Sequence, residues 1–188
     1  MASSTERALA ESLKNLLSKK TLNKITVKDI TDSCGVNRQT FYYHFHDVYD
    51  LVEWMFTQAA QEYMSTGLST ENWKNVLMGV LDDLVGEKQF ILNTYYSLNR
   101  RQLDQFMQRL IRPALVTFAS EAGKKQGAGR EDIDFVADMC TYAIVGIITE
   151  WVASGLTENY KGVLEKLFVA TNGILDFAFE NLSEKSGF

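Results

Sequence analysis

The sequence predicts an all-α protein of about nine helices, on three observations. Apolar residues recur three and four apart along most of the chain, the spacing of one helical face. No stretch alternates apolar with polar residues as a half-buried strand does. A single proline, Pro113, occurs in 188 residues that are 46% hydrophobic, enough apolar material for one or two modest domains with a real core.

Each helix has its own local signals. The first is expected from Ser4 or Thr5 to about Lys20, with Leu9, Leu13, Leu16 and Leu17 along one side. Val27, Ile30 and Cys34 line a second, for which Thr26 and Asp29 form a capping-box pair. Gly35 stands where a helix closes on a left-handed residue, Val36 plugs the turn, and Asn37 is a good N-cap for a third helix. There Phe41 and Phe45 point inward, leaving Arg38, Gln39, Tyr42 and Tyr43 outside, with Thr40 and His44 at the border. Asp47 caps a fourth helix and Asp50 is favoured by its dipole. Leu51, Met55 and Ala59 run along one face of it, and Val52, Phe56, Ala60 and Tyr63 along the next, as far as Gly67.

Ser69 and Thr70 restart the chain, and a fifth helix runs from Trp73 to Gly86, followed by a shorter one from about Phe90 to Leu98. The seventh begins near Arg100 and carries Leu103, Phe106, Met107, Leu110, Ala114 and Phe118. Pro113 lies inside it and is expected to kink or end it. GKKQGAGR, residues 123–130, reads as a flexible surface link, because it lacks the preceding strand and the Gly-Lys-Ser/Thr ending of a phosphate loop. From Ile133 to Ala153 the chain is apolar nearly all round, so this helix is expected to be buried on several sides. After Gly155 a last helix carries Leu164, Phe168, Thr171, Leu175, Ala178 and Leu182, alternately four and three apart.

Residues 26–45 carry the chemistry. A small apolar group of Val27, Ile30, Phe41 and Phe45 fixes the angle between two short helices, so the second is held out as a stiff probe suited to a DNA major groove. Arg38 and Gln39 are the two side-chain types that make paired hydrogen bonds to guanine and adenine edges. Thr40 and the hydroxyls of Tyr42 and Tyr43 reach phosphates and set register. Thr26, Asn37 and His44 complete the candidate surface, with Lys24 and Lys28 beside it. Lys19 and Lys20 belong to the same basic cluster, which is either a set of phosphate contacts or a solvated charge run.

In this register GVNRQTFYYHF followed by HDVYDL resembles the helix-turn-helix signature of the TetR family of transcriptional regulators. Gly35, Val36, Thr40, Phe41, Tyr42, Phe45 and Leu51 stand at its defining positions. The resemblance covers about the first 55 residues. Two positions depart from it: Gln39, where the family often has a small residue, and Val48, where it usually has a lysine that contacts phosphate. YAIVGIITEWVASGL, with Trp54 in LVEWMF, resembles the Firmicute-type branch that includes dihydroxyacetone-kinase regulators. The family implies a DNA-binding head, residues 1–46, on a helical effector-binding and dimerisation body, residues 47–188. It also implies a homodimer, a palindromic double-stranded operator and an unidentified small-molecule effector that releases it, as in a repressor.

Charge agrees in sign. Net charge is −5, but residues 1–46 hold seven Lys or Arg against four Asp or Glu, and the remainder twelve against twenty. A basic end on an acidic body turns the head toward a polyanion. No unbroken apolar run reaches the ~18 residues of a membrane span, and the start MASSTERALAESLKNLL is amphipathic and charged, unlike a secretory signal. A cytoplasmic protein is expected, associated with the nucleoid when DNA-bound, with Cys34 and Cys140 as structural thiols.

The body offers a second set of candidates. Trp54, Tyr63, Trp73, Tyr95, Tyr96, Asn99, Tyr142, Glu150 and Trp151 are more aromatic and semi-polar than packing requires, so they are candidates for an effector pocket, against a reading as ordinary core. Glu150, in so apolar a helix, needs a surface position or a partner such as Arg100, Arg101 or Arg112. For the dimer, Gly146 allows close backbone approach, and Leu164, Phe168, Thr171, Leu175 and Ala178 supply an apolar stripe. No catalytic constellation, paired-cysteine metal spacing or dinucleotide fingerprint is present, so neither an enzyme nor a cofactor or metal is expected. The rival readings are an activator, a regulator controlled by a partner protein, and a dimeric interaction module without ligand.

Overall fold

The computed structural model describes residues 3–65, 67, 69, 71–157, 160–170 and 173–185, the side chains of 163, 164, 167, 168, 170, 184 and 185 excepted. Among these residues there are ten α-helices, one short 3-10 turn and no strand. The helices fall into two compact units: residues 1–61 with 86–103, and residues 62–85 with 104–188.

The first unit begins with α1 (Ser4–Leu17), which opens on a reciprocal Ser3–Glu6 capping box and fully buries Leu9, Leu13 and Leu17. A 3-10 turn (Leu22–Lys24) leads to α2 (Val27–Cys34), capped by Thr26 and Asp29 as expected. Gly35 ends α2 at φ +70°, a conformation that costs a residue with Cβ but not glycine. α3 (Arg38–His44) starts on the Asn37 cap. α4 (Val48–Ser65) starts where Asp47 accepts from Asp50 N at 2.9 Å, while Asp50 accepts from His46 N at 2.9 Å. Buried Ser12 on α1 donates to the Ile30 carbonyl at 2.8 Å, so α1 grips α2 by a polar contact as well as by leucines.

α6 (Lys88–Tyr95) belongs to this unit, which therefore takes in more chain than residues 1–46. Buried Asn93 donates through Nδ2 to the Leu17 carbonyl at 2.6 Å, serving one of the acceptors that the end of α1 leaves open. Ser97 Oγ accepts from Asn23 N at 3.3 Å and donates to the Asn93 carbonyl at 2.8 Å, and Lys14 pairs with Glu87 at 2.8 Å.

The second unit holds α5 (Trp73–Gly86), α7 (Arg100–Lys125), α8 (Arg130–Ala153), α9 (Tyr160–Ala170) and α10 (Ile174–Lys185), apart from the few end residues of α5 and α7 that fall in the first. Its core is Ala119 and Ala122 of α7, Val136 and Ala137 of α8, and Phe179 of α10, all but fully buried. Small residues on α7 and α8 leave room for one phenyl ring, whose burial stabilises by about 2–3 kcal/mol. Arg112 ties α7 to α8 by reaching Asp138 at 2.6 Å and Asp134 at 3.3 Å, so it is not the partner of Glu150.

Of the two outcomes expected at Pro113, a kink or an end, the helix does not end: α7 runs through it to Lys125. Two expectations change. The 123–130 link shrinks to 126–129, because Gly123 is a buried helical residue of α7. The last helix is two helices, and Gly173 at φ +73° immediately precedes α10. α8 is long and apolar enough to cross a bilayer by length and composition. A scan for unbroken apolar runs passes over it because Asp138 and polar threonines interrupt the run. Yet Val136, Ala137, Thr141, Val145, Ile148, Thr149 and Val152 of α8 are buried against protein.

A Cβ at Gly123 would lie 2.8 Å from Ile133 Cγ1 and 3.2 Å from Phe179 Cζ. Gly123→Ala is therefore expected to lose about 1–3 kcal/mol to overpacking, more than the ~1 kcal/mol it gains in helix propensity. The melting temperature checks this: a variant as stable as the parent would mean that α7, α8 and α10 are not packed this closely.

Candidate nucleic-acid interface

The reading surface is built by caps and by two buried rings. Phe41 is fully buried and its ring lies 5.9 Å from that of buried Phe45, which meets Trp54 edge-on at 5.6 Å. With one side of α3 so anchored, Arg38 and Gln39 are exposed, and Tyr42 and Tyr43 stand 59% and 85% exposed. Tyr42 leans edge-on against Phe41 at 5.6 Å, which holds its ring while its hydroxyl faces water. His44 is half-buried, with Nδ1 3.5 Å from Glu6 Oε1 of α1 and its ring edge-on to Tyr43 at 5.1 Å. The Glu6 carboxyl sits below its usual range, first because Ser3 N donates to it and to a smaller extent because of His44.

The remaining DNA candidates divide by what already holds them. Lys24 and Lys28 are exposed beside α2. Lys20 is half-buried and bound to Asp29 at 3.1 Å, so it is part of the fold rather than of a free basic run. Thr26 Oγ1 accepts from Asp29 N at 3.2 Å, and Asn37 Oδ1 accepts from Thr40 N at 2.7 Å. Val48, where the resemblance led one to look for a lysine, is buried, so this position serves the core. The Asp29 carboxyl is held down at about 2, first by the Thr26 backbone N–H and then by Lys20.

Seven of the nine effector candidates are held in separate local contacts. In the first unit, Trp54 joins the aromatic line behind α3; Tyr95 and exposed Tyr96 pack edge-on at 5.3 Å; and Asn99 caps α7, exchanging hydrogen bonds with Gln102 at 3.1 and 2.9 Å. In the second, the Tyr63 hydroxyl donates to Asp83, and burial with that carboxylate pushes it up to about 12. Trp73 lies against Phe118 at 5.7 Å. Trp151 stacks on Tyr160 at 5.0 Å and donates to the Thr157 carbonyl at 3.0 Å, while Tyr160 donates to Asp82. Tyr142 and Glu150 are exposed on α8, so the carboxylate has the surface position it needs.

Of the dimer candidates, Gly146 is exposed with open space around it. Leu175 and Ala178 turn inward onto the Val136–Phe179 core. Thr171 and the side chains of Leu164 and Phe168 lie outside the described residues. Gly146 shares its outward side of α8 with Phe135 (61% exposed), Met139 and Tyr142 (62%), spaced four, three and four, and on α10 Ile174 and Phe177 (68%) are outward. The break before Ile174 resets the register there, and no periodicity computed across it could have found Phe177.

Comparison with known proteins agrees with this geometry. Residues 10–54 match the model of bacterial regulatory proteins of the tetR family, and residues 71–173 match a transcriptional regulator C-terminal region of the same family. The chain is 29% identical over 77 residues to the HTH-type dhaKLM operon transcriptional activator DhaS of Lactococcus lactis, a match spanning 41% of each protein. Its fold resembles a solved dihydroxyacetone kinase operon activator DhaS, with a TM-score of 0.67 and 22% identity over 94% of this chain and 97% of that one. It also resembles the fatty acid degradation regulator FadR of Bacillus halodurans, with a TM-score of 0.63 and 12% identity over 88% and 93%.

Asp29 titrates at about 2 in the fold against an ordinary 3.8, so its stabilisation is present above about 4 and is lost as pH falls toward 2. The stability gap between the parent and Asp29→Asn is expected to close over that window. Melting curves at successive pH values test this, and a gap that stays constant would mean Asp29 is not held ionised.

Proposed function

The chain belongs to the TetR family of bacterial transcriptional regulators, and we propose that it works as a homodimer that binds a two-fold-symmetric DNA operator through α3. The relatives that it matches are regulators of transcription and not enzymes. The observation that carries the proposal is a pairing of exposures. One helix offers Arg38, Gln39, Tyr42 and Tyr43 to solvent on a buried aromatic anchor, and two others turn Phe135, Met139, Ile174 and Phe177 outward. Residues of the first kind read base edges and phosphates. Those of the second kind form an apolar surface that a second copy covers when two α8–α10 pairs meet across a two-fold axis. Two heads fixed at one separation then reach successive major grooves about 34 Å apart, which is the physical reason for a palindromic site.

On this reading the protein is cytoplasmic, where the chromosome is. A small-molecule effector would release it by favouring a head separation that mismatches the grooves. Of the aromatic and semi-polar candidates, Tyr63, Trp73 and Trp151 of the second unit are the candidate lining. Release by effector makes it a repressor. A second reading, activation, is favoured by the printed role of the matched relative, an operon activator. Deleting the gene and following a reporter at the bound promoter separates the two, since expression rises on loss of a repressor and falls on loss of an activator.

Two substitutions test the proposal on a duplex selected from a random pool. Arg38→Ala or Gln39→Ala is expected to cost about 1–3 kcal/mol on that duplex and little on unrelated DNA; equal loss on both would remove these residues from base readout. Phe177→Glu is expected to sediment as a monomer and to lose tight binding to the full palindrome. A variant that remains dimeric would place the interface elsewhere.

A further inference from the structure

The threonines at the openings of α2 and α3, Thr26 and Thr40, use their hydroxyls in opposite senses. Thr26 Oγ1 accepts from Asp29 N, so its hydrogen is left to point outward. Thr40 Oγ1 lies 3.0 Å from Asn37 Oδ1, an atom with no hydrogen of its own, so here the hydroxyl is the donor. Asn37 Oδ1 also accepts from Thr40 N at 2.7 Å. Two bonds to one oxygen fix the rotation of the carboxamide, and planarity then turns its NH2 group away from α3. Asn37 is exposed, and no group among the described residues takes up that NH2.

We infer that at the opening of the reading helix the side-chain donor offered to DNA is the Asn37 amide, and that Thr40 acts on DNA only by holding that amide in place. The inference rests on the reading of α3 as the DNA-reading helix, and it replaces the direct Thr40–phosphate contact anticipated from the sequence. Phosphate oxygens only accept. For Thr40 to donate to one, it must abandon Asn37, exchanging one hydrogen bond for another with little net gain. The Asn37 amide has no such competitor. It is available to any acceptor within reach, whether a base edge or a phosphate oxygen. Thr40 is thus a positioning residue, and Asn37 is both the cap of α3 and a contact.

A double-mutant cycle in the full-length protein tests this by affinity for the selected duplex, with melting temperature as the control for folding. Serine keeps the capping oxygen but has no amide, so Asn37→Ser is expected to weaken binding about tenfold. Thr40→Val should weaken it less, and Thr40→Val added to Asn37→Ser should cost nothing more. Thr40→Ser, which keeps the hydroxyl, should bind like the parent. If Thr40→Val melts early, Thr40→Ala takes its place in the cycle. Loss confined to the selected duplex makes the acceptor a base edge, and equal loss on an unrelated duplex makes it a phosphate; both keep the amide as donor. The inference is overturned if Thr40→Val costs the same in either background, or if Asn37→Ser binds as the parent does. A parent protein that binds no duplex at low salt would instead defeat the DNA-binding reading itself, before the cycle is begun.

Discussion

Burial of the Phe41 ring is the constraint on which the rest of the head depends. With that ring fully enclosed, α3 cannot roll, and the residues on its other side must face water whether they are polar or not. Two tyrosines are consequently left largely bare on a seven-residue helix, an arrangement that packing alone would not favour. The anchor is extended by ring contacts from Phe41 to Phe45 and from Phe45 to Trp54, so α3 and the first turns of α4 share one aromatic support. Trp54 is therefore better understood as a strut of the head than as part of an effector pocket.

Polar contacts complete what the rings begin. Glu6 divides its carboxylate between the start of α1 and His44 at the end of α3. Asp29 accepts from both Thr26 N and Lys20, joining the cap of α2 to the segment before it. Ser12 reaches the Ile30 carbonyl from within the core. The buried Ser12 bond is modest, on the order of 1 kcal/mol net. Leaving the buried Ser12 hydroxyl and Ile30 carbonyl unpaired would cost more than pairing them gains, and this asymmetry makes the contact specific.

What could be read from the sequence was what is encoded locally. The Thr26–Asp29 box, the left-handed Gly35, the Asn37 cap and the Asp47–Asp50 pair each lie within a few residues of one another, and each has one strongly preferred geometry. What escaped depends on partners far along the chain. Lys20 looked like one of a basic run until its link to Asp29 was in view, and the Thr40 hydroxyl looked available until it was seen to donate to Asn37. Gly123 read as a loop because glycine usually marks one, whereas here it admits Ile133 and Phe179. On α10 the outward residues Ile174 and Phe177 lie off the stripe that one continuous helix would give, since Gly173 at φ +73° precedes them and resets the register. Asn93 gave no signal at all, because nothing near it in the chain announces the Leu17 carbonyl that it serves.

That last contact has a consequence for how the protein is made. The final carbonyl of α1 is satisfied by a side chain 76 positions later, and the turn after it leans on Ser97. A nascent chain on the ribosome that has exposed only the helix-turn-helix carries an open end on its first helix, and it must wait for α6 to emerge from the exit tunnel. The DNA-reading part of the molecule therefore matures only when well over half of the polypeptide has been translated, although every residue that would touch a nucleotide was synthesised long before.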